Sequence, residues 1–217
     1  MSIKNFDDIK NVFYINLESR VDRKTHIEQE LKKVNLNGSR IDAVKIEKTN
    51  SEFKHSPLKQ GLIGCTLSHI KCLEIALERN FNHIMIFEDD AEFIYPELLQ
   101  SKINNFLETC RDWDFLFISG DNIGQFEQVN ENYIKVNRCQ TTGCYLVNGR
   151  YIKTLIDNMR EALIKEEPFD TFFFSLQKVH NWYLLTPVLC TQRDDYSDIE
   201  LQNVSYSSRI LRFNKEG

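Results

Sequence analysis

The sequence predicts an α/β domain with a mainly parallel central sheet and helices on both faces. Three observations carry that expectation. Short apolar runs at Val12–Leu17, His83–Phe87 and Phe115–Ile118 lack polar alternation, as expected of strands buried on both sides. Segments with apolar residues at helical spacing separate these runs. The alternation of strand and helix persists along the chain, which is the pattern of crossover connections in a parallel sheet.

The elements follow in order. Val12–Leu17 is the first strand, and Ser19-x-x-Asp22 offers a helix start after it. Ile27, Leu31 and Val34 mark one face of that helix, and Gly38 is the expected stop. Arg40–Val44 reads as the second strand. Residues 45–60 are polar and aperiodic, long for a connection in a compact domain, and read as a mobile lid that orders on ligand binding. Leu67, Ile70, Leu73 and Leu77 then give a helix, with Gly61 and Gly64 expected just before it. His83–Phe87 is the third strand. Leu99, Ile103, Phe106 and Cys110 form a helix face, Phe115–Ile118 a strand and Cys144–Val147 another. Ile152, Leu155, Ile156, Met159 and Leu163 mark a long amphipathic helix, and a further helix opens at Asp170. Tyr183–Cys190 is a last apolar segment, interrupted by Pro187, and the tail after Arg209 reads as loose.

The composition bounds the function. With 217 residues, 41% hydrophobic and 27% charged, and no repeat or linker, residues 1–217 read as a single domain. The net charge is −5, and carboxylates gather at Glu88–Glu92, Glu166–Asp170 and Asp194–Glu200, which argues against nucleic acid as a partner. Six cysteines without a C-x-x-C pair read as reduced core thiols. Met1–Lys10 is polar and lacks a signal-type apolar stretch, and no run approaches the ~20 apolar residues of a membrane span. The expectation is a cytoplasmic protein without a transmembrane segment.

In a parallel sheet, ligands bind outside the carboxyl ends of the strands. Glu88-Asp89-Asp90 follows directly on an apolar strand, and alternation would send Glu88 and Asp90 one way and Asp89 the other. Two carboxylates facing one point suit Mg²⁺ or Mn²⁺, which prefer hard oxygen ligands; a solvated acidic turn is the alternative. Asn16-Leu17-x-x-Arg20-x-x-Arg23 sits where the first strand turns into a helix, a place where backbone N–H groups and arginine forks favour phosphate, although an ordinary basic helix face has the same composition. Gly61-x-x-Gly64-Cys65-x-x-Ser68-His69 combines glycines that allow close backbone approach with two polar side chains at an expected helix start. Cys65 and His69 have the residue types of a catalytic dyad, but a core thiol is the simpler reading of Cys65. Asp170, after Pro168-Phe169, has the look of a helix N-cap and is also a candidate general base.

Six strings occur in order: Ile15-Asn16-Leu17-x-x-Arg20-x-x-Arg23, Gly64-Cys65-x-x-Ser68-His69, Phe87-Glu88-Asp89-Asp90, Thr142-Gly143-Cys144-Tyr145-Leu146-Val147, Pro168-Phe169-Asp170 and Ser197-Asp198-Ile199. Their order and spacing resemble glycosyltransferase family 25, which includes bacterial lipooligosaccharide transferases and collagen hydroxylysine galactosyltransferases. The resemblance runs from about Val12 to Ile199. It implies a nucleotide-sugar-binding fold of the GT-A type, a uridine-diphosphate (UDP) sugar donor, a Mn²⁺ or Mg²⁺ cofactor and inversion at the anomeric carbon. It implies Glu88 and Asp90 as metal ligands and Asp89 beside them. Asn16, Leu17, Arg20, Arg23, Ser68, His69 and Ser197 fall in donor-side strings, and Asp42, Ala43 and Val44 resemble the segment beside the nucleotide base. Asp170 matches an aspartate important in the collagen enzymes. Gln192 stands near the place where those enzymes carry a histidine, so the third protein contact to the metal is left open.

The reaction that follows from this is hexose transfer to a hydroxyl of a glycan or of hydroxylysine in a collagen-like protein. Asp170 is the first candidate for the base that accepts the hydroxyl proton, and Asp121, in Ser119-Gly120-Asp121-Asn122 after a strand, is the second. The helix dipole is expected to lower the pKa of Asp170. A non-catalytic sugar-nucleotide-binding or assembly protein on the same fold is the alternative, and a metal-dependent phosphohydrolase is a third reading. Asp170 discriminates, because a binding module has no need of a carboxylate opposite the metal.

Overall fold

The computed structural model describes residues 3–46, 57–199 and 202–216. Its strands are β1 (Val12–Asn16), β2 (Ser39–Asp42), β3 (His83–Glu88), β4 (Ala91–Phe93), β5 (Phe115–Asn122), β6 (Phe126–Gln128), β7 (Tyr133–Val136), β8 (Cys139–Asn148), β9 (Trp182–Leu185), β10 (Cys190–Gln192), β11 (Asp195–Ser197) and β12 (Gln202–Val204). Its helices are α1 (Val21–Lys33), α2 (Pro57–Glu78), α3 (Leu99–Thr109), α4 (Ile152–Lys165), α5 (Phe169–Phe172), α6 (Phe174–Gln177), α7 (Ser207–Ile210) and α8 (Phe213–Glu216).

The main sheet has the order β2-β1-β3-β8-β5-β9-β7-β6. The pairs β1–β2, β1–β3 and β5–β9 are parallel, whereas β8 runs antiparallel to both of its neighbours and β7 to both of its own. Tracing these pairings across the sheet, six of the eight strands share one direction and only β7 and β8 oppose it. The carboxyl ends of β1, β2, β3 and β5 therefore lie along one edge. The amino end of β8 joins them there, with Asp121 opposite Gln140.

Side-chain alternation in β1 explains the two layers of helices. Val12 and Tyr14 join a core with Ile27 and Leu31 of α1 and Ile103 and Phe106 of α3. Phe13 and Ile15 point the other way, into a core with Leu73 of α2 and Leu155 and Met159 of α4. Each central strand is thus apolar at consecutive positions because both of its faces are covered. A stack of rings crosses three strands: Phe115 lies 4.8 Å from Tyr145 and 4.0 Å from Trp182, centroid to centroid. The six cysteines are unpaired, and no described helix is long and apolar enough to cross a membrane.

Several expectations are corrected. Helix α1 stops before Gly38: Asn35 takes the left-handed conformation at φ 57°, and the N–H groups of Asn35 and Leu36 bond back to the carbonyls of Lys32 and Leu31, a Schellman arrangement. Gly38 serves packing instead, since a Cβ there would lie 2.7 Å from Leu31. Helix α2 begins at Pro57, so Gly61 and Gly64 lie within it rather than before it. A Cβ on Gly64 would meet the Val44 carbonyl oxygen at 2.5 Å, and one on Gly61 the Ile199 backbone at 2.9 Å. These glycines let the chain approach the helix closely, and both also line the first of the two cavities described below. Residues 47–56 of the expected lid lie outside the described residues, and residues 57–60 belong to α2. The tail is not loose throughout: Phe213 of α8 packs edge-on against Phe126.

Gly64→Ala tests the close approach. The clashing atom is backbone and cannot swing away, so the substitution is expected to cost about 1–3 kcal/mol, the usual range for overpacking. Chemical denaturation that finds no loss would mean that the segment at Val44 yields freely.

Candidate active site

The triad Glu88-Asp89-Asp90 forms the end of β3 and the turn into β4. Asp89 and Asp90 lie in the turn rather than in an extended strand, so strand alternation does not set their directions, and all three residues line one cavity. Glu88 Oε2 and Asp90 Oδ1 both accept from the Gln192 amide, at 3.1 and 3.4 Å. Asp89 turns away to Asn16 Nδ2 at 2.7 Å and Arg23 Nη1 at 3.0 Å. Glu88 Oε1 also accepts from the Thr142 hydroxyl at 2.8 Å, and His69 Nε2 lies 3.4 Å from it. Burial alone would raise the Glu88 pKa, but His69, Thr142 and Arg23 together hold it below its ordinary value. Burial and the charge of Glu88 push Asp90 the other way, well above the usual carboxylate range. The pair therefore carries negative potential that no single neighbour cancels.

Arg23 is the main counter-charge. Besides Asp89 it reaches Asp90 Oδ2 at 3.1 Å and donates to the Tyr196 carbonyl at 3.0 Å. Arg20 pairs with Asp22, Asp195 and Asp198. The two arginines tie the end of β3 to the segment 195–198, far away in sequence. The side chains of Arg23, Asp89 and Asp90 are only 9%, 12% and 13% exposed. Arg23→Ala would leave two buried carboxylates with amide partners from Asn16 and Gln192 but without their main counter-charge, and is expected to destabilise the fold by about 3 kcal/mol. Arg23→Lys should recover only part of this, because an ammonium lacks the fork. A urea-denaturation loss below about 1 kcal/mol would mean that the carboxylates do not depend on this partner.

Two cavities meet at this edge. The first, of about 710 Å³, is lined by Asn16, Leu17, Arg23, Ala43, Val44, Lys45, His69, Glu88, Asp89, Asp90, Gln192 and Ser197, among others. The second, of about 450 Å³, is lined by Asp121, Gln140, Thr141, Thr142, Asp170 and Arg209, among others. Cys65, Glu88, Gln192, Ile199 and Tyr206 line both and form the wall between them. Both volumes are in the range of small-ligand sites.

Three expected ligand contacts lie off these surfaces. Ser68 lines neither cavity; its hydroxyl accepts from Val44 N–H at 2.8 Å and donates to the Gly64 carbonyl, so it positions the Val44 backbone. Asp42 stands outside the first cavity, pairing with Arg40 at 2.8 Å. Arg20 stays behind its three carboxylates and reaches the cavity only through the segment it anchors.

Asp170 lies in the first turn of α5, but Pro168 occupies the N-cap position. The Asp170 carboxylate instead accepts the N–H groups of Thr141 at 3.2 Å and Thr171 at 2.8 Å. Thr141 adopts φ 67° to present its N–H, a conformation that a β-branched residue rarely takes. The pKa of Asp170 is raised, not lowered as expected: burial outweighs both backbone hydrogen bonds, and a four-residue helix supplies little dipole. Asp121 lies inside β5 rather than after it, is 4% exposed, accepts from Gln140 at 3.1 Å and has Arg212 at 3.5 Å. Asp121 is already engaged by Gln140 and Arg212, whereas Asp170 is held by backbone N–H groups, so Asp170 is the better suited of the two. Sequence reasoning missed Thr141, whose unusual φ leaves no signature, and gave Cys65 no place at the site, although its i, i+4 spacing to His69 was visible.

Residues 9–173 match the family model described as "Glycosyltransferase family 25 (LPS biosynthesis protein)". The chain belongs to glycosyltransferase family 25. A family relative, procollagen galactosyltransferase 1-A of Xenopus laevis, is 28% identical over 193 residues, 77% of this chain and 30% of the relative. Inactive glycosyltransferase 25 family member 3 of Mus musculus is 25% identical over 147 residues, 59% of this chain and 24% of the relative. The chain thus spans about 30% or less of the length of these two relatives. A solved glycosyltransferase involved in glycosylation of the major capsid of PBCV-1 is similar with a TM-score of 0.48 and 9% identity, over 94% of this chain and 98% of that one. The cavity edge built by β1, β3 and β8 lies within the matched family region.

Proposed function

We propose that this family 25 chain transfers a hexose from a UDP-sugar to a hydroxyl acceptor, with inversion, and that Glu88 and Asp90 hold a Mn²⁺ or Mg²⁺ ion for the donor. The observation that carries this reading is the pair of cavities: one has the paired carboxylates, the other a buried aspartate, and Glu88 and Gln192 line both. Inversion needs donor and acceptor to meet from opposite sides, and such a junction provides that.

The residues suit a hard cation. Glu88 and Asp90 supply oxygen donors, and the Gln192 amide now draws them together from between; a rotated amide would offer its oxygen as well. Such an ion, when bound, offsets the charge that develops on the diphosphate as it leaves. The other tasks fall to the chain. Ala43 and Val44 offer backbone to the nucleotide base, held by Ser68. Arg23 and Lys45 are the cations on the wall of the donor cavity and would face the phosphates. Asp170 would take the proton of the acceptor hydroxyl, which is a glycan hydroxyl or that of hydroxylysine. Its raised pKa makes it a stronger base than a solvated aspartate. A second reading, a non-catalytic sugar-nucleotide-binding or assembly protein, is favoured by the inactive name of the mouse relative, but leaves Asp170 only its hydrogen bonds from the Thr141 and Thr171 N–H groups.

Incubation with a panel of UDP-sugars, Mn²⁺ and candidate acceptors tests the proposal. Release of UDP with formation of a glycosylated acceptor is expected. UDP release with free sugar and no product would indicate a hydrolase. Donor binding without any turnover across the panel would favour the binding protein.

A further inference from the structure

We propose that Cys65, His69 and Glu88 form a cation site of their own, suited to a thiophilic divalent ion such as Zn²⁺ and distinct from the hard-oxygen pair Glu88–Asp90. Sγ of Cys65, a ring nitrogen of His69 and a carboxylate oxygen of Glu88 all lie within 4.8 Å of one another. Cys65 and His69 are one turn apart on α2, the i, i+4 spacing that puts two ligands on one helix face.

His69 supplies the second, independent observation. It is fully buried, yet among the described residues its Nε2 has no well-formed hydrogen bond. That nitrogen lies 3.4 Å from Glu88 Oε1 without the alignment of a hydrogen bond. Bond lengths of about 2.0–2.3 Å place tetrahedral zinc ligands roughly 3.3–3.6 Å apart, so these two atoms already have the separation of ligands sharing an ion. The other ring nitrogen, Nδ1, lies 2.7 Å from the Tyr145 hydroxyl. With the proton on Nδ1, Tyr145 accepts it and Nε2 offers a lone pair, the arrangement usual for a metal-bound histidine. Cys65 lines both cavities, which gives an ion an entry path.

The ligand types set the preference. A sulfur and an imidazole favour Zn²⁺, Co²⁺ or Cd²⁺ over Mg²⁺ and Mn²⁺. Three protein ligands leave a fourth position for water. On binding, the Cys65 S–H bond breaks, its proton goes to solvent and the thiolate sulfur donates to the ion. Glu88 belongs to both groups, so an ion held by the thiol competes for it with an ion at Asp90.

The test uses the full chain, freed of metal with a chelator and kept reduced with a phosphine. Titration with Co²⁺ is expected to give a thiolate-to-cobalt charge-transfer band that saturates at one ion per chain, collapses on adding Zn²⁺ and is missing in Cys65→Ala. Because that variant alters a packed helix, the wild-type chain provides a second readout: alkylation of each cysteine by iodoacetamide, followed by mass spectrometry. Zn²⁺ at ten times its dissociation constant should slow alkylation of Cys65 about tenfold, as mass action requires, and Mg²⁺ should not. Absence of the band in wild type, its persistence in Cys65→Ala, or equal alkylation rates with and without Zn²⁺ would each overturn the assignment.

Discussion

Replacing Asp170 with asparagine is expected to lower kcat by about 10²–10⁴-fold, the range for losing a general base. Asparagine can keep the hydrogen bond from Thr141 N–H but not also the one from Thr171 N–H, and the core around Phe169 and Phe173 is untouched, so the donor KM should barely move and the fold should lose only the one bond, about 1 kcal/mol. The same group sets a pH dependence. Burial raises the Asp170 pKa, so the folded protein holds this proton to a higher pH than the unfolded chain does. The base is available only above that raised pKa, and kcat should fall as pH drops through it. In Asp170→Asn the residual rate should lack that acidic limb. Normal turnover in Asp170→Asn together with a dead Asp121→Asn would move the base to Asp121.

Asp90→Asn is expected to abolish ion-dependent transfer without harming the fold. Burial and Glu88 push the Asp90 pKa up. A carboxyl that binds its proton more tightly when folded loses stability as it ionises, from the ordinary aspartate value up through the raised one. Near neutral pH, removing that charge should leave the chain about as stable as before: asparagine keeps one oxygen for either Arg23 or Gln192, and the loss of the other hydrogen bond offsets part of the relief. Thermal melts with and without Mn²⁺ check this. The wild type should gain stability from the ion, and Asp90→Asn should not. A variant that melts markedly lower without metal would mean that Asp90 serves the fold first.

The sheet was legible where both faces of a strand are covered. The runs at Val12–Leu17, His83–Phe87 and Phe115–Ile118 announced strands, and the abrupt arrival of Glu88-Asp89-Asp90 marked the edge along which the two cavities lie. Strand β6 was invisible because Phe126, Glu127 and Gln128 are all exposed and carry no pattern. The start of α2 was hidden by glycines that read as a loop but serve contact with Val44 and Ile199. The partners of Arg20 and Arg23 were out of reach for another reason. Asp195 and Asp198 lie some 175 residues further on, and no local pattern says which charges will meet. The direction of the Asp170 shift failed because the sequence gives the helix start but not the depth of burial, and burial decides it.

On the proposed function, the Glu88–Asp90 edge holds a donor diphosphate through a divalent ion. Calorimetric titration with UDP itself, the part common to the proposed donors, addresses it most directly. With Mn²⁺ present, binding is expected to saturate at one nucleotide per chain, and with a chelator in excess it should disappear. Equal affinity in the two conditions would mean that no divalent ion links the nucleotide to Glu88 and Asp90.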